Sequence, residues 1–241
     1  MGFSCEVVLP ATHDTASAIM AVPDESGNSV YISSGTWSLM GIETKTPVCS
    51  EESRKKNFTN EGGYDHRFRY LKNIMGLWMI QSLRREMKNA YSFAQLCQLA
   101  EENSDFPSRV DVNADMFLAP ASMTAAIKDM CIQTGQKVPE TAGELAAVVY
   151  ESLSDSYAET VQELEKITEK KYDSICIVGG GSNADYLNRL TAEKSGKKVL
   201  AGPGEATAVG NLLAQMIENK ELKNLKEARK CVRNSFSIHE Y

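Results

Sequence analysis

The spacing of apolar residues changes along this chain and divides it into three stretches. Up to about residue 72 the pattern is that of strands. "CEVVLPA" (5–11) reads as a short strand. "SVYISSGTWSLMGIE" (29–43) alternates Val30 and Ile32, breaks at Ser34-Gly35 and resumes with Trp37 and Leu39. That pattern predicts two strands around a turn, with Trp37 in the core. "RFRYLKNI" (67–74) alternates again, and the polar, glycine-containing 45–66 reads as a connector.

After Asn73 the period becomes helical. Leu77, Ile80, Leu83 and Met87 recur at helix spacing, and "SFAQLCQLAEEN" (92–103) is a second amphipathic segment with Ser92 as its N-cap. Residues 105–120 have no period and are expected to be irregular and surface-exposed. A long helix is predicted from 141 to 171. Its stripe runs Leu145, Val149, Leu153, Tyr157, Val161, Leu164, and Thr141 and Glu144 are spaced as a capping box.

The last third alternates strand and helix. "SICIVGGGS" and "KKVLAGPG" are strands ending in glycine. "NADYLNRLTAEKSG", "EATAVGNLLAQMI" and "LKEARKCVR" are helices, the first stopped by Gly196. Strands followed by alternating helix and strand predict one mixed sheet with helices packed on it.

Composition narrows the function. The chain has 241 residues, 42% apolar and 24% charged, enough for one large domain. Its net charge of −6 and lack of a basic run argue against a nucleic-acid partner. No apolar run approaches a bilayer span, so no membrane partner is expected. Six scattered cysteines without a CxxC pair read as reduced, mostly buried thiols of a cytoplasmic protein. His13, His66 and His239 have no ligand spacing with them, so no metal site is expected.

Five short motifs carry candidate chemistry. "IVGGGSN" (177–183) ends a strand in three glycines, where backbone can approach a ligand closely. A tight strand-to-helix turn explains it equally well. "AGPGEATAVGN" (201–211) repeats the pattern, and its small residues permit close helix packing. "SSGTWSLMG" (33–41) offers a backbone N–H and the Thr36 hydroxyl at a turn. "THDTA" (12–16) places Asp14 beside two donors, as a helix N-cap or as a catalytic base. Asn73 is polar within an apolar run and needs partners if buried; capping the next helix or meeting a sugar hydroxyl would serve.

Together, "VVLPATHDTASA", "ISSGTWSLMGIE", "TNEGG…R…LKNIMGLW" and "VGGGSN…GPGEATA" resemble, in order and spacing, the C-terminal half of the FGGY carbohydrate kinases. The resemblance covers roughly residues 5 to 232. His13-Asp14 and "SGTW" resemble the branch that phosphorylates L-rhamnulose to its 1-phosphate. The alternatives are a family kinase for another ketose (L-fuculose, L-xylulose) or a non-catalytic actin-fold nucleotide-binding module.

The resemblance implies an α/β, ribonuclease H-like (actin-like ATPase) mixed sheet flanked by helices. Residues 1–241 would be the C-terminal nucleotide-binding domain of such a kinase, with the N-terminal domain absent. Asp14 corresponds to the catalytic base; His13, Asp14, Thr15 and Asn73 to the sugar contacts; and Thr36, Gln81 and Gly179 to the ATP contacts. Asp14, Thr36 and Gly179 are then expected to line one open groove. The implied partners are a ketose, ATP, and the N-terminal half of the same enzyme. That half carries the family's Asp-x-Gly motif, absent from this chain, and with it most of the Mg²⁺ placement. The chain alone is therefore expected to lack kinase activity.

Overall fold

The computed structural model describes residues 5–11 and 13–241. β1 (Ser29–Ser34) and β2 (Trp37–Thr44) form the expected hairpin. β2 pairs antiparallel with β4 (Phe68–Met75), and β4 with β3 (Thr59–Gly62). On its other side β1 runs parallel to β5 (Ser174–Val178), and β5 to β6 (Lys198–Ala201). β7 (His239–Glu240) closes the far edge antiparallel. The sheet order is β3-β4-β2-β1-β5-β6-β7.

Cross-strand partners share a face of the sheet. The row Leu71, Gly41, Tyr31, Cys176, Leu200 faces α1 (Asp14–Met20), α8 (Ala206–Glu218) and α9 (Leu225–Ser235), where it forms a core with Ile19, Leu213 and Val232. The alternate residues Met40, Ile32 and Ile177 enter the larger core beneath α6 (Ala142–Thr168). α3 (Trp78–Glu86), α4 (Phe93–Glu102), α5 (Met123–Gln133) and α7 (Asp185–Ser195) complete that layer.

α6 has the predicted capping box, and all six residues of its stripe are buried. It also buries three carboxylates, each paired with cations: Glu151 with Lys194 and Arg109, Glu163 with Lys72 and Lys56, and Glu165 with Lys171 and Lys197. Pairing is what makes such burial tolerable. Ser92 caps α4 with a capping box to Gln95, and Gly196 ends α7 at φ +64°.

Several expectations are corrected. Residues 5–11 form no strand and pair with none of the sheet's strands; Val7 and Leu9 are 80% and 83% exposed. Trp37 is not in the core: it pairs with Met75 on the last rung of β2–β4, where the sheet ends, and is 40% exposed. Residues 105–120 are irregular apart from one 3₁₀ turn, but Phe106, Val110, Val112 and Phe117 are buried and pin them down. The connector holds α2 (Glu51–Lys55), capped by Ser50, as well as β3. β3 is polar because it is an edge strand. Of the cysteines, Cys97, Cys131 and Cys176 are buried, Cys231 is half-buried, and Cys5 and Cys49 are exposed; all are free.

Candidate functional site

The parallel strands β1, β5 and β6 all end at one edge, and the chemistry-bearing motifs gather there. After β5 the chain turns through Gly179, at φ +86°, into a 3₁₀ turn at Gly180–Asn183. A Cβ on Gly179 would stand 2.8 Å from the Ser34 carbonyl oxygen, and one on Gly181 would stand 2.5 Å from Ser34 Cβ. The crowding of β1 against this loop therefore requires both glycines. Gly180 has no atom within 4 Å of where a Cβ would sit. It is exposed backbone facing open space, where a phosphate can approach.

The neighbouring turn is clamped. Gly35 N–H donates to Trp37 O (2.9 Å), while Leu77 N–H and Trp78 N–H donate to the carbonyls of Gly35 and Thr36 (3.1 and 3.0 Å). The start of α3 thus holds the turn. Gly76 is required there, since its Cβ would lie 2.6 Å from the Trp37 carbonyl carbon. Thr36 is exposed, and its hydroxyl lies 3.5 Å from Gln81 Oε1. Gly35, Gln81 and Gly180 line a cleft of about 270 Å³ with Tyr150, Phe93 and Asn183. Two of the three expected nucleotide contacts, Thr36 and Gln81, therefore meet directly, and Gly179 adjoins the cleft through Gly180.

Buried side chains hold both loops from behind. Tyr157 of α6 reaches Ser38 Oγ at 2.6 Å, and its burial pushes the phenol up to about 12, so it stays neutral. Asn188, fully buried, donates to the Ser182 carbonyl (3.0 Å), and the Ser182 hydroxyl donates to Gly179 O (2.8 Å). Tyr157 was legible only as a member of an apolar stripe, and Asn188 only as one residue of a helix. Nothing in one sequence shows where their polar ends point.

At the same edge, on the face covered by α1 and α8, His13 caps α1. Its Nδ1 accepts from Thr15 N–H at 3.2 Å. Asp14 is the first helical residue, so it is not the N-cap. It is exposed, and Thr15 is buried. The Thr207 hydroxyl, from the "GPGEATA" motif, donates to the Asp14 carbonyl at 3.3 Å. Asn73 lies on this same face, in the row Asn73, Leu39, Ser33, Val178, and is exposed rather than buried. A second hollow, of about 420 Å³, is lined by His13, Glu61 and Arg69. Arg69 is buried and paired with Glu61 at 2.8 Å. Both residues belong to "TNEGG…R", a string that carries the family resemblance without indicating a role for either.

The expected single groove is thus two hollows on opposite faces of the sheet, and the one beside His13 extends along β3 and β4 to Arg69, which pairs across the strands with Glu43, far from the Trp37–Met75 rung. Gln81 and Gly180 lie on the α6 side and His13 on the α1 side. The ends of β1 and β5 stand between them. Among the described residues no group of three or more His, Cys, Asp or Glu side chains could hold a metal, and no helix is long and apolar enough to cross a membrane.

Three antiparallel strands continued by parallel strands, with helices on both faces and loops converging on one edge, define an actin-like ATPase fold. Solved sugar kinases share it. The xylulose kinase of Rhodospirillum rubrum superposes over 95% of this chain and 44% of its own (TM-score 0.66, 14% identity). A Plasmodium falciparum glycerol kinase solved with ADP superposes over 93% of this chain and 45% of its own (TM-score 0.63, 13% identity). The model of the C-terminal domain of the FGGY family of carbohydrate kinases matches residues 30–218, and the chain belongs to that family. It is 50% identical over its whole length to a rhamnulokinase of Halalkalibacterium halodurans, of which it covers 51%. It is likewise 50% identical over 235 residues to a Bacillus subtilis rhamnulokinase, of which it covers 48%. The chain therefore spans about half the length of the curated relatives it matches.

Proposed function

We propose that this chain is the C-terminal, nucleotide-binding half of a kinase that transfers the γ-phosphoryl group of ATP to the 1-hydroxyl of L-rhamnulose. The carrying observation is the convergence on one sheet edge of an exposed carboxylate, Asp14, and an open phosphate-type backbone turn at Gly35–Thr36 and Gly180. The rhamnulokinase relatives supply the choice of sugar.

In this reading the adenosine end of ATP occupies the cleft beside Gln81, Phe93 and Tyr150. The phosphates cross the strand ends over Thr36 and Gly180, which offer donors and no negative charge. The sugar lies on the α1 side, held by His13, Thr15 and Asn73. Asp14 accepts the proton of the attacking hydroxyl as its oxygen forms the new bond to phosphorus and the bond from phosphorus to the leaving ADP oxygen breaks. The 3.3 Å bond from Thr207 ties the Asp14 backbone to α8, so the carboxylate stands on a fixed helix start. No step is assigned to Mg²⁺; in this reading its placement rests mainly with the N-terminal half, as the family resemblance implies.

Asp14→Asn, in an enzyme rebuilt with an N-terminal half, tests the reading. Asp14 is an exposed first-turn residue, so the substitution costs at most about 1 kcal/mol of helix-dipole stabilisation. Loss of the base lowers kcat on the order of 10²–10⁴-fold with KM for ATP little changed. Near-normal kcat would remove Asp14 from the chemistry. The isolated chain, lacking half the cleft, is expected to turn over no ketose.

A further inference from the structure

The glycine turn after β5 is tied to α7 by a side chain that costs the core something. Asn188 has no exposed surface. Its Nδ2 donates to the Ser182 carbonyl at 3.0 Å, and a carbonyl partner fixes which end of the amide faces it. Its Oδ1 is buried without a hydrogen-bond partner among the described residues. An unpaired buried acceptor destabilises a fold, and a leucine of similar size would carry no such group. Packing alone therefore does not explain an amide here. The side-chain bond it makes is to the turn.

That bond is the first of a short chain. The Ser182 hydroxyl and N–H both donate to the Gly179 carbonyl, at 2.8 and 3.0 Å. Gly179 makes the positive-φ turn, and Gly180 beside it is the exposed backbone that lines the cleft with Gln81. Crowding against Ser34 limits the turn on the β1 side. The Asn188 amide holds it on the α7 side.

We infer that Asn188 is a positioning residue for the nucleotide: acting through Ser182, it fixes where Gly180 meets the phosphates without touching the ligand itself. This rests on the nucleotide reading of the cleft proposed above. Backbone donors act at full strength on a phosphate only when they are held in place beforehand. A turn released from α7 keeps its donors and loses their aim.

Calorimetric titration of the purified chain with ADP, beside a thermal melt of each variant, tests this. Asn188→Leu strands the Ser182 carbonyl but removes the unpaired Oδ1. The two effects oppose, so the melting temperature should change little. ADP affinity should nevertheless fall about tenfold, the loss of one well-aligned charge-assisted bond. Ser182→Ala keeps the carbonyl and removes only the hydroxyl, and it should weaken ADP severalfold. In an enzyme rebuilt with an N-terminal half, Asn188→Leu should raise KM for ATP by the same factor and leave KM for L-rhamnulose unchanged, a split that general loosening would not give. Glu165→Gln removes buried ion pairs beside the opposite ends of β5 and β6. It should lower stability at pH 7 and bind ADP like the parent. Parent-like ADP affinity in Asn188→Leu, or in Ser182→Ala should the first variant not fold, would overturn the inference, as would an equal loss in Glu165→Gln. A parent chain that does not bind ADP would remove the nucleotide reading itself, and the inference with it.

Discussion

Gly210→Ala is expected to destabilise the protein, although alanine is the better helix former. Gly210 lies in the first half of α8, where that helix crosses α1. A Cβ there would stand 2.5 Å from the Ser17 carbonyl carbon and closer still to its oxygen. Ordinary carbon–carbon contact is about 3.5–4.0 Å, so the helices must separate by roughly 1–1.5 Å. Ser17 presents backbone, which cannot rotate away, and both helices are anchored in the core by Ile19 and Leu213. Overpacking of this kind costs about 1–3 kcal/mol, to which lost α1–α8 contacts add. Replacing a helical glycine returns about 1 kcal/mol. The net is a loss of about 1–2 kcal/mol, read as a melting temperature lower by roughly 2–8 °C in a domain of this size. Thermal and urea unfolding of the variant and of Ala208→Gly, at an exposed position on the same helix, separate packing from propensity. Ala208→Gly should lose about 1 kcal/mol from propensity alone. A Gly210→Ala protein more stable than its parent would refute the close-packing argument.

Two further outcomes follow from buried polar groups. Tyr157→Phe strands the Ser38 hydroxyl in the core, at a cost of about 1–3 kcal/mol in urea unfolding; the double variant Tyr157→Phe/Ser38→Ala should recover part of it, and no recovery would show the bond to be unimportant. The raised Tyr157 pKa means that the unfolded chain loses this proton first, so stability falls as pH climbs from about 10 to about 12 and Tyr157→Phe flattens that limb. Glu165 behaves oppositely. Burial raises its pKa, but hydrogen bonds from Lys171, Lys197 and the Tyr172 N–H outweigh it and hold the carboxyl at about 2. Its contribution is present above the unfolded value near 4.5 and is lost as pH falls from there toward 2. Glu165→Gln should therefore be less stable than the parent at pH 7 and nearly equal to it at pH 2, measured by urea unfolding.

The sequence by itself determined the elements whose signal is local. The α6 stripe and its Thr141–Glu144 box, the Ser92 cap, the Gly196 stop and the β1–β2 hairpin all arise from residues within one or two turns of each other. The family was legible for a related reason: its motifs are short strings at strand ends, and identity there survives without knowledge of contacts. Even the hollow beside His13 had its residues on view in "TNEGG…R".

Only the tertiary structure decided what those strings are for. "IVGGGSN" read alone leaves ligand contact and tight turn equally open. Ser34, distant in sequence, makes Gly179 and Gly181 necessary for packing and leaves Gly180 to face the cleft. Asp14 read alone is a plausible N-cap until His13 takes that place. Trp37 and residues 5–11 have strand-like patterns, but Trp37 lies where the sheet ends and residues 5–11 pair with none of its strands, so burial does not follow from apolarity. The Tyr157–Ser38 bond joins residues more than a hundred positions apart. Periodicity reports which face of an element is apolar, whereas the partner of a polar atom is set by the path of the whole chain.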